Sequence, residues 1–243
     1  MKKGIDIYNY DKMFESTVRT MRNSSITERN KQLIGDFYNF CYANGIGKPR
    51  VIKYVRTLRQ LAEWLKKDFD KATKQDIEKV VTAIQRRDDY SESTKKDFNV
   101  ALKKFYKWLK GNEDYPPEVK WLKTRPNMSK VKLPGQDGLL TEDDIKKLVE
   151  ATDHPRNKAL ISLLYESGCR VGEIASLQIN NVAFDEKGAV LTVIGKTGAR
   201  RIRIVSSVPY LLTWINSHPL RNDNKSPLWI NVGAINNRKH MRY

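Results

Sequence analysis

The sequence predicts a mainly α-helical protein with a small antiparallel β-hairpin in its C-terminal half. Apolar residues recur at three- and four-residue steps through most of the first half, which is the period of amphipathic helices. In the second half the period changes to alternation on either side of a Gly-Lys-Thr-Gly turn, as expected for two paired strands. The 243 residues are 40% hydrophobic and 30% charged, so the chain has enough apolar residues to fold around a core.

Four helices are predicted in the first half. Thr73 and Ser91 stand where they can cap the third and fourth, and Gly111 with Pro116 and Pro117 ends the last. The apolar faces are Ile34, Phe37, Tyr38 and Cys41; Val51, Tyr54, Val55, Leu58, Leu61, Ala62 and Leu65; Ile77, Val80, Val81 and Ile84; and Phe98, Ala101, Leu102, Phe105 and Leu109. Because aromatic rings on such faces are usually buried, we expect these to form core rather than base-stacking surfaces. The rings concerned are Phe37, Trp64, Phe98 and Trp108.

A linker is predicted at residues 124–138, which lack any apolar period. This stretch contains two prolines, two glycines and three basic residues, a composition typical of an extended basic connection. It divides the chain into an N-terminal helical domain, residues 1–123, and a C-terminal domain, residues 139–243.

The C-terminal domain begins with a helix that Thr141 caps, and three acidic residues follow that favour a helix start. A more apolar and therefore deeper helix comes next, and Gly168 ends it. The elements predicted beyond the first helix are helices at 156–167, 173–177 and 210–216 and strands at 189–194 and 201–205.

The chain is strongly basic, and the excess charge is concentrated in the first half. Lys and Arg number 45 against 28 Asp and Glu, a net charge of +17. Residues 1–139 carry +12 of this charge and residues 140–243 carry +5. Such an excess is typical of proteins that bind the phosphates of a polyanion, although a basic surface can also serve solubility alone.

Several protein classes are excluded by composition. Apolar runs are far shorter than the roughly 20 residues of a membrane helix, and Asp6 stands where a signal peptide would be apolar. We therefore expect a cytoplasmic protein with no membrane partner. The two cysteines, Cys41 and Cys169, are too few for a disulfide framework or a cysteine-rich zinc site. The three histidines show no metal-ligand spacing, so no metal is expected.

Gly195, Lys196 and Thr197 invite a nucleotide-binding interpretation, which fails. The phosphate-binding loop requires a shorter spacing between its glycines than the six residues that Gly188 and Gly195 enclose. Those six residues predict a strand, so this segment is the basic tip of the hairpin, and no nucleotide cofactor is expected.

Arg170 follows the deep helix and its glycine turn, and Glu173 lies three residues further on. A carboxylate so placed can hold the guanidinium group so that its fork faces a phosphate. An ordinary surface ion pair has the same spacing. The residues alone favour neither interpretation.

Residues 163–174 resemble the box around the first catalytic arginine of the tyrosine recombinases, the family of phage integrases and of Xer-like and archaeal relatives. Residues 193–201 resemble the hairpin that carries the catalytic lysine of that family, at a fitting distance along the chain. The first half resembles its core-binding domain, on a weakly specific helical pattern. The resemblance extends over nearly the whole chain from about residue 26. It implies a SAM-like four-helix core-binding domain followed by a partial tyrosine-recombinase catalytic domain of the α+β type.

The resemblance also implies a role for each matching residue. Arg170 would bind the scissile phosphate and stabilise its charge in the transition state, Glu173 would orient that arginine, and Lys196 would protonate the leaving 5′ oxygen. The family uses a tyrosine that forms a covalent phosphoenzyme, so neither a metal nor ATP nor another cofactor is implied. The implied partners are duplex DNA and, in the full-length form, other recombinase subunits.

Further DNA contacts are expected at the starts of the second and fourth helices and on the hairpin. Basic and hydroxyl side chains at helix starts suit phosphate groups, although capping and solvation explain them equally well. The expected DNA-binding residues are Lys48, Arg50, Lys53, Ser91, Thr94, Lys95, Lys96, Arg200 and Arg201.

The chain departs from the family pattern near its end. The family carries a His-x-x-Arg box and then the nucleophilic tyrosine, whereas His240 is followed three places later by Tyr243. We interpret residues 239–243 as the start of a helix interrupted by truncation, and we expect that the chain lacks both the box and the nucleophile. A monomeric chain that binds DNA but neither cleaves nor rejoins it is therefore expected. The alternatives are a non-catalytic DNA-binding or accessory protein on the same scaffold, a helical RNA-binding protein, and a type IB topoisomerase, which the SAM-like first half disfavours.

Overall fold

The computed structural model describes residues 7–111, 113–130, 138–195, 198–232 and 239–241. The chain forms two compact units. The N-terminal unit is Tyr10–Leu133, and the C-terminal unit combines Pro134–Tyr243 with Met1–Asn9. Within the described ranges, no helix is long and apolar enough to cross a membrane.

The N-terminal unit is built from helices alone in its described part. These helices are α1 (Tyr10–Arg22), α2 (Glu28–Ala43), α3 (Lys48–Leu65), α4 (Lys74–Gln85), α5 (Glu92–Leu109) and α6 (Pro117–Lys120). The four predicted helices correspond to α2, α3, α4 and α5. Helix α1 was not predicted because its apolar residues are sparse among polar and charged ones, and α6 was not predicted because it is a single turn.

An aromatic cluster lies at the centre of the N-terminal unit. The ring centroid of Phe37 is 5.2 Å from that of Phe105 and 5.3 Å from that of Trp108. Phe98 is buried as well, and Trp64 packs against the same core. The prediction that the helix aromatics form core is therefore confirmed, and their burial is a main source of stability for this unit.

Polar caps fix the helix starts where the sequence predicts them. The Thr73 hydroxyl accepts a hydrogen bond from the backbone N–H of Asp76, whose carboxylate accepts one from the backbone N–H of Thr73. Thr141 and Asp144 repeat this reciprocal arrangement in the C-terminal unit. Ser91 caps α5 through its hydroxyl. Each cap satisfies a backbone donor that has no partner within its own helix.

The C-terminal unit combines helices with one three-stranded sheet. Its elements are α7 (Glu142–Glu150), α8 (Pro155–Ser167), α9 (Val171–Ala175), β1 (Val182–Asp185), β2 (Gly188–Gly195), β3 (Gly198–Ile204) and α10 (Val208–Ser217). The strands are antiparallel in the order β1-β2-β3, and Val193 of β2 pairs with Arg200 of β3. The hairpin prediction is confirmed, and both strands are longer than predicted. Strand β1 was not predicted, because its side chains are mostly exposed and alternate weakly.

The core of the C-terminal unit lies between the sheet and the helices. Leu191, Val193 and Ile204 of the sheet are fully buried, as are the rings of Trp214 and Trp229. The Trp229 indole N–H also donates to the carbonyl of Ile174 at 2.7 Å, which fixes the end of α9 against this core.

Residues 7–9 group with the C-terminal unit, although the predicted N-terminal domain begins at residue 1. Ile7 is almost fully buried. A methyl group added at Gly172 would lie 3.3 Å from the Tyr8 hydroxyl oxygen, so this segment passes directly beside α9. The described N-terminal unit therefore starts at Tyr10 rather than at residue 1.

The predicted helix start at residues 239–243 is wrong for the part that the structure describes. Residues 239–241 are extended, His240 pairs with Ile230 in an antiparallel bridge, and the Met241 N–H donates to the Trp229 carbonyl at 3.0 Å. The His240 ring lies 3.0 Å from the carbonyl oxygen of Ala175. Pairing with residues 229–231 fixes this segment as extended chain.

Candidate functional site

Arg170 stands at the first turn of α9, directly after the turn that ends α8. Gly168 ends α8 in the left-handed conformation, with φ of 57°, which redirects the chain into α9. The Arg170 N–H donates to Glu173 Oε2 at 3.0 Å, and its guanidinium Nη1 lies 3.2 Å from Glu173 Oε1. Glu173 thus caps α9 and contacts the Arg170 side chain at the same time.

Arg200 reaches the same carboxylate from β3. Its Nη1 donates to Glu173 Oε1 at 3.0 Å and its Nη2 to Glu173 Oε2 at 2.7 Å, a bidentate pair. The Arg200 hydrogen bonds hold the pKa of Glu173 down to about 2, against the opposing effect of burial. Glu173 is therefore ionised at neutral pH although its side chain is only 5% exposed.

The Arg170 guanidinium is open to solvent because Arg200 occupies most of the carboxylate. The Arg170 side chain is 72% exposed, whereas that of Arg200 is 40% exposed. An exposed guanidinium anchored at one edge can offer its remaining N–H donors to an anion such as a phosphate. This geometry favours the phosphate-binding interpretation of Arg170 over that of an isolated surface ion pair.

Gly195 brings the end of β2 against this cluster. A methyl group added at Gly195 would lie 2.1 Å from Glu173 Oε1, so only glycine fits without movement. The residue that precedes Lys196 is therefore in direct contact with the carboxylate that holds Arg170. Lys196 itself lies outside the described residues.

The cluster formed by Arg170, Glu173 and Arg200 is only partly foreseeable from sequence. The pairing of Arg170 with Glu173 follows from their spacing, whereas the contact of Arg200 with Glu173 was not predicted. Alternation along β3 does not reveal which side chain turns inward at the strand start. The register that sets Arg200 opposite Val193 decides it.

The basic residues at the start of α3 are exposed or paired with acids. Lys48 contacts Asp11 and Lys53 contacts Asp97. Arg50 is exposed. On the hairpin, Arg201 is exposed on β3. Exposed ion pairs of this kind are weak, so the lysines can exchange their partners for phosphates.

The residues at the start of α5 differ in availability. The Ser91 hydroxyl is used to cap the helix and lies 2.9 Å from that of Thr94. Lys95 is buried, and its ammonium donates to the Gln85 carbonyl at 3.1 Å. Lys96 is one-third exposed, with its ammonium 3.7 Å from an Asp97 oxygen. Only Lys96 of these side chains turns a charge towards solvent.

One His-x-x-Arg spacing does occur, at His218 and Arg221, contrary to the expected absence of that box. His218 is buried, with its ring centroid 4.8 Å from that of Trp214, and burial lowers its pKa. Arg221 Nη1 donates to the carbonyl of Asn216 at the end of α10. Both side chains serve packing and capping, so the spacing alone is not a catalytic box.

Other kinds of site find little support. Across the described ranges, no group of three or more His, Cys, Asp or Glu side chains could hold a metal ion. Both cysteines are unpaired and buried. The site therefore consists of the cationic cluster at the start of α9 and the adjoining end of β2.

Comparison with known proteins agrees with these features. Residues 139–241 match the phage integrase family, and residues 33–114 match the phage integrase N-terminal SAM-like domain. The tyrosine recombinase XerA of Pyrococcus horikoshii is 30% identical over 213 residues, which make up 86% of this chain and 67% of that protein. The tyrosine recombinase XerD of Haemophilus influenzae is 30% identical over 186 residues, 72% of this chain and 59% of that protein. The chain thus spans only part of the length of these relatives.

Solved structures share the fold. The XerH site-specific recombinase bound to palindromic difH substrate, in its post-cleavage complex, has a TM-score of 0.57 at 18% identity, covering 91% of this chain and 71% of that one. Its pre-cleavage complex has a TM-score of 0.55 at 18% identity, covering 95% and 76%. Together with the two family matches and the XerA relative, the arginine box followed by the Gly-Lys hairpin shows that this chain belongs to the tyrosine recombinase (phage integrase) family.

Proposed function

We propose that this chain binds duplex DNA, as part of a site-specific recombinase of the tyrosine type, and that Arg170 contacts a backbone phosphate. The observation that carries the proposal is the exposed Arg170 guanidinium beside a carboxylate that Arg200 already neutralises. The net charge of +17 supports a polyanionic partner. The XerH relatives, solved with difH substrate, support DNA as that partner.

In the proposed reaction, Arg170 holds the scissile phosphate and stabilises the charge that develops on its oxygens. Glu173 orients Arg170, and Arg200 holds Glu173. The nucleophile, a tyrosine, forms a phosphotyrosine bond while the 5′ oxygen leaves and takes a proton, which we assign to Lys196 as general acid. The contact of Gly195 with Glu173 supports this assignment, because it sets the residue before Lys196 beside the phosphate-binding cluster.

Additional DNA contacts are proposed for the side chains that turn a charge or a hydroxyl outward. Ser91, Lys95 and Arg200 are engaged in internal contacts, so they act on DNA only through the elements that they hold. The remaining proposed contacts are Lys48, Arg50, Lys53, Thr94, Lys96 and Arg201. Other recombinase subunits are proposed as partners on DNA in the full-length form.

The salt dependence of duplex binding tests the phosphate contact of Arg170. Arg170→Ala is expected to weaken binding and to reduce the slope of log affinity against log salt by about 0.9, the value of one lost phosphate contact. Lys146→Ala is the control, because Lys146 is an exposed cation of the same unit that pairs with Glu142 on α7. An unchanged slope in Arg170→Ala would contradict the proposal.

We infer further that these 243 residues bind DNA without cleaving it, because the side chains at the His-x-x-Arg spacing, His218 and Arg221, are engaged in packing and capping. Incubation with a nicked suicide duplex tests this inference. We expect a shifted complex and no covalent protein–DNA adduct after denaturation. A 3′-phosphotyrosyl adduct would overturn it, and tighter binding to RNA than to duplex DNA would overturn the choice of partner.

A further inference from the structure

A groove with a volume of about 840 Å³ is lined by residues of the N-terminal unit alone. Its walls are the end of α4, the start of α5 and the segment at residues 121–128. A groove of this volume is within the range of small-molecule binding sites. Residues from 124 onward were predicted to be a linker, so this wall was not predicted.

Side chains of α5 hold the third wall in place. The Lys103 ammonium donates to the carbonyls of Lys120 at 3.2 Å and Leu122 at 3.1 Å. The Asn99 side-chain N–H donates to the carbonyl of Lys123 at 2.8 Å. The groove is therefore preformed, which reduces the entropy lost when a ligand binds.

Asn99 also leaves one acceptor unsatisfied in the groove wall. Asn99 is only 6% exposed, its amide nitrogen is committed to Lys123, and its Oδ1 is buried without a hydrogen-bond partner. A buried acceptor without a partner costs free energy, and a ligand whose N–H or O–H reaches Oδ1 after a small shift of this side chain would remove the cost. A phosphate diester has no such donor, whereas a nucleobase does.

The other lining residues suit the remaining parts of a nucleotide. Trp121 is 40% exposed, and its indole N–H donates to the Glu118 carbonyl at 2.9 Å, which orients the ring. An oriented, accessible aromatic ring is a stacking platform for a base. Lys123 and Arg125 are exposed lining residues whose charges suit a phosphate.

We propose that this groove binds an unpaired nucleotide, with its base on Trp121, a base N–H donating to Asn99 Oδ1, and its phosphate at Lys123 and Arg125. The proposal goes beyond the duplex contact assigned to Arg170. The nucleotide is either free or an unpaired residue of a DNA strand, since both present the same groups.

The test is a titration of the whole chain with 2′-deoxycytidine 5′-monophosphate, in which calorimetry measures the heat of binding. We expect saturable binding, and about tenfold weaker binding of the N4,N4-dimethyl analogue, which has no base N–H to donate, and of deoxyribose 5-phosphate, which has no base. Trp121→Ala is expected to weaken binding about tenfold as well. Tyr210→Ala is the matched control, because Tyr210 is a similarly exposed aromatic residue, at 38%, and lies on α10 rather than in the groove wall.

A second comparison distinguishes the two sources and protects against a misfolded variant. Blunt duplex and duplex with a single-stranded cytidine overhang are titrated against the unaltered chain and against Trp121→Ala. A preference for the overhang that Trp121→Ala abolishes supports a nucleotide within a DNA strand, and binding of the mononucleotide without such a preference supports a free one. The proposal is overturned if neither is bound, or if Trp121→Ala weakens binding of blunt duplex as much as binding of the overhang. If the Arg170→Ala test contradicted the phosphate contact of Arg170, the groove proposal would still stand, because binding of the mononucleotide to the groove does not involve Arg170.

Discussion

The starts of α9 and α5 each carry a basic side chain close to a carboxylate, yet only one of them is available to an anion. Arg170 at α9 has a side chain that is 72% exposed, whereas the side chain of Lys95 at α5 is 9% exposed. At α9 a third group, Arg200, takes up the carboxylate of Glu173. At α5 the ammonium of Lys95 itself lies 3.4 Å from Glu92. A cation at a helix start is therefore free to bind phosphate when another cation pairs with the neighbouring carboxylate.

The largest expected effect follows from removing that third group. Arg200→Ala leaves Glu173 to Arg170 alone, so we expect the Arg170 guanidinium to turn towards the carboxylate and duplex affinity to fall about tenfold. Arg203→Ala is the control, because Arg203 lies on the same strand and pairs with Asp185 instead. A gel-shift titration measures both affinities.

The double variant Arg200→Ala with Glu173→Gln separates this explanation from simple loss of a positive charge. A neutral amide no longer attracts Arg170, so affinity is expected to recover to within about threefold of the unaltered chain. Failure to recover would contradict the explanation that Arg200 acts by occupying the carboxylate of Glu173.

Acidification is expected to weaken the same cluster. The pKa of Glu173 is lowered from 4.5 to about 2 in the folded chain, so its ionised form stabilises the fold fully above pH 4.5. As the pH falls from 4.5 towards 2, the unfolded chain binds the proton first and this contribution is lost. Urea denaturation across this range is expected to show a steeper loss of stability in the unaltered chain than in Glu173→Gln. An equal loss of stability with falling pH in both chains would contradict the lowered pKa of Glu173.

Gly195 offers a smaller perturbation of the same contact. Gly195→Ala introduces a methyl group 2.1 Å from Glu173 Oε1, and we expect a loss of about 2 kcal/mol in the free energy of unfolding as strand and carboxylate move apart. Gly35→Ala is the control: Gly35 lies within α2, where the methyl group meets nothing closer than 4.0 Å. That variant is expected to stabilise the chain by about 0.5 kcal/mol.

The smallest effect on DNA binding is expected at α5. Lys95→Met removes a buried ammonium and leaves the Gln85 carbonyl without its donor, so stability is expected to fall by about 1 kcal/mol. Duplex affinity is expected to stay within about twofold, because the ammonium is not available to phosphate. Lys96→Ala, next along the helix, is expected to weaken duplex binding about threefold. Equal losses of duplex affinity in Lys95→Met and Lys96→Ala would contradict the difference in availability proposed between the starts of α9 and α5.

Sequence predicts well what depends on neighbours along the chain. Thr73, Ser91 and Thr141 cap their helices as expected, since a cap needs only the residues of the first turn. The two paired strands follow likewise from local alternation. The contact between Arg170 and Glu173 is predictable for the same reason, because the two residues lie three positions apart.

Sequence predicts poorly what tertiary structure decides. Arg200 reaches Glu173 only through the register of β2 and β3, and nothing near Arg200 in the sequence signals this contact. Lys95 was expected to contact DNA, yet its ammonium donates to a carbonyl at the end of α4. The His-x-x-Arg spacing at His218 and Arg221 was not noticed in the sequence, and both side chains serve the end of α10.

The placement of residues 7–9 has a practical consequence for dissecting the molecule. Tyr8 and Ile7 pack beside Gly172, only two positions from Arg170, although they precede the whole helical unit in the chain. A fragment cut at the linker to isolate the C-terminal half would discard these residues and expose the apolar surface that they cover. We expect that a synthetic peptide of the first nine residues would bind such a fragment and cover that apolar surface again.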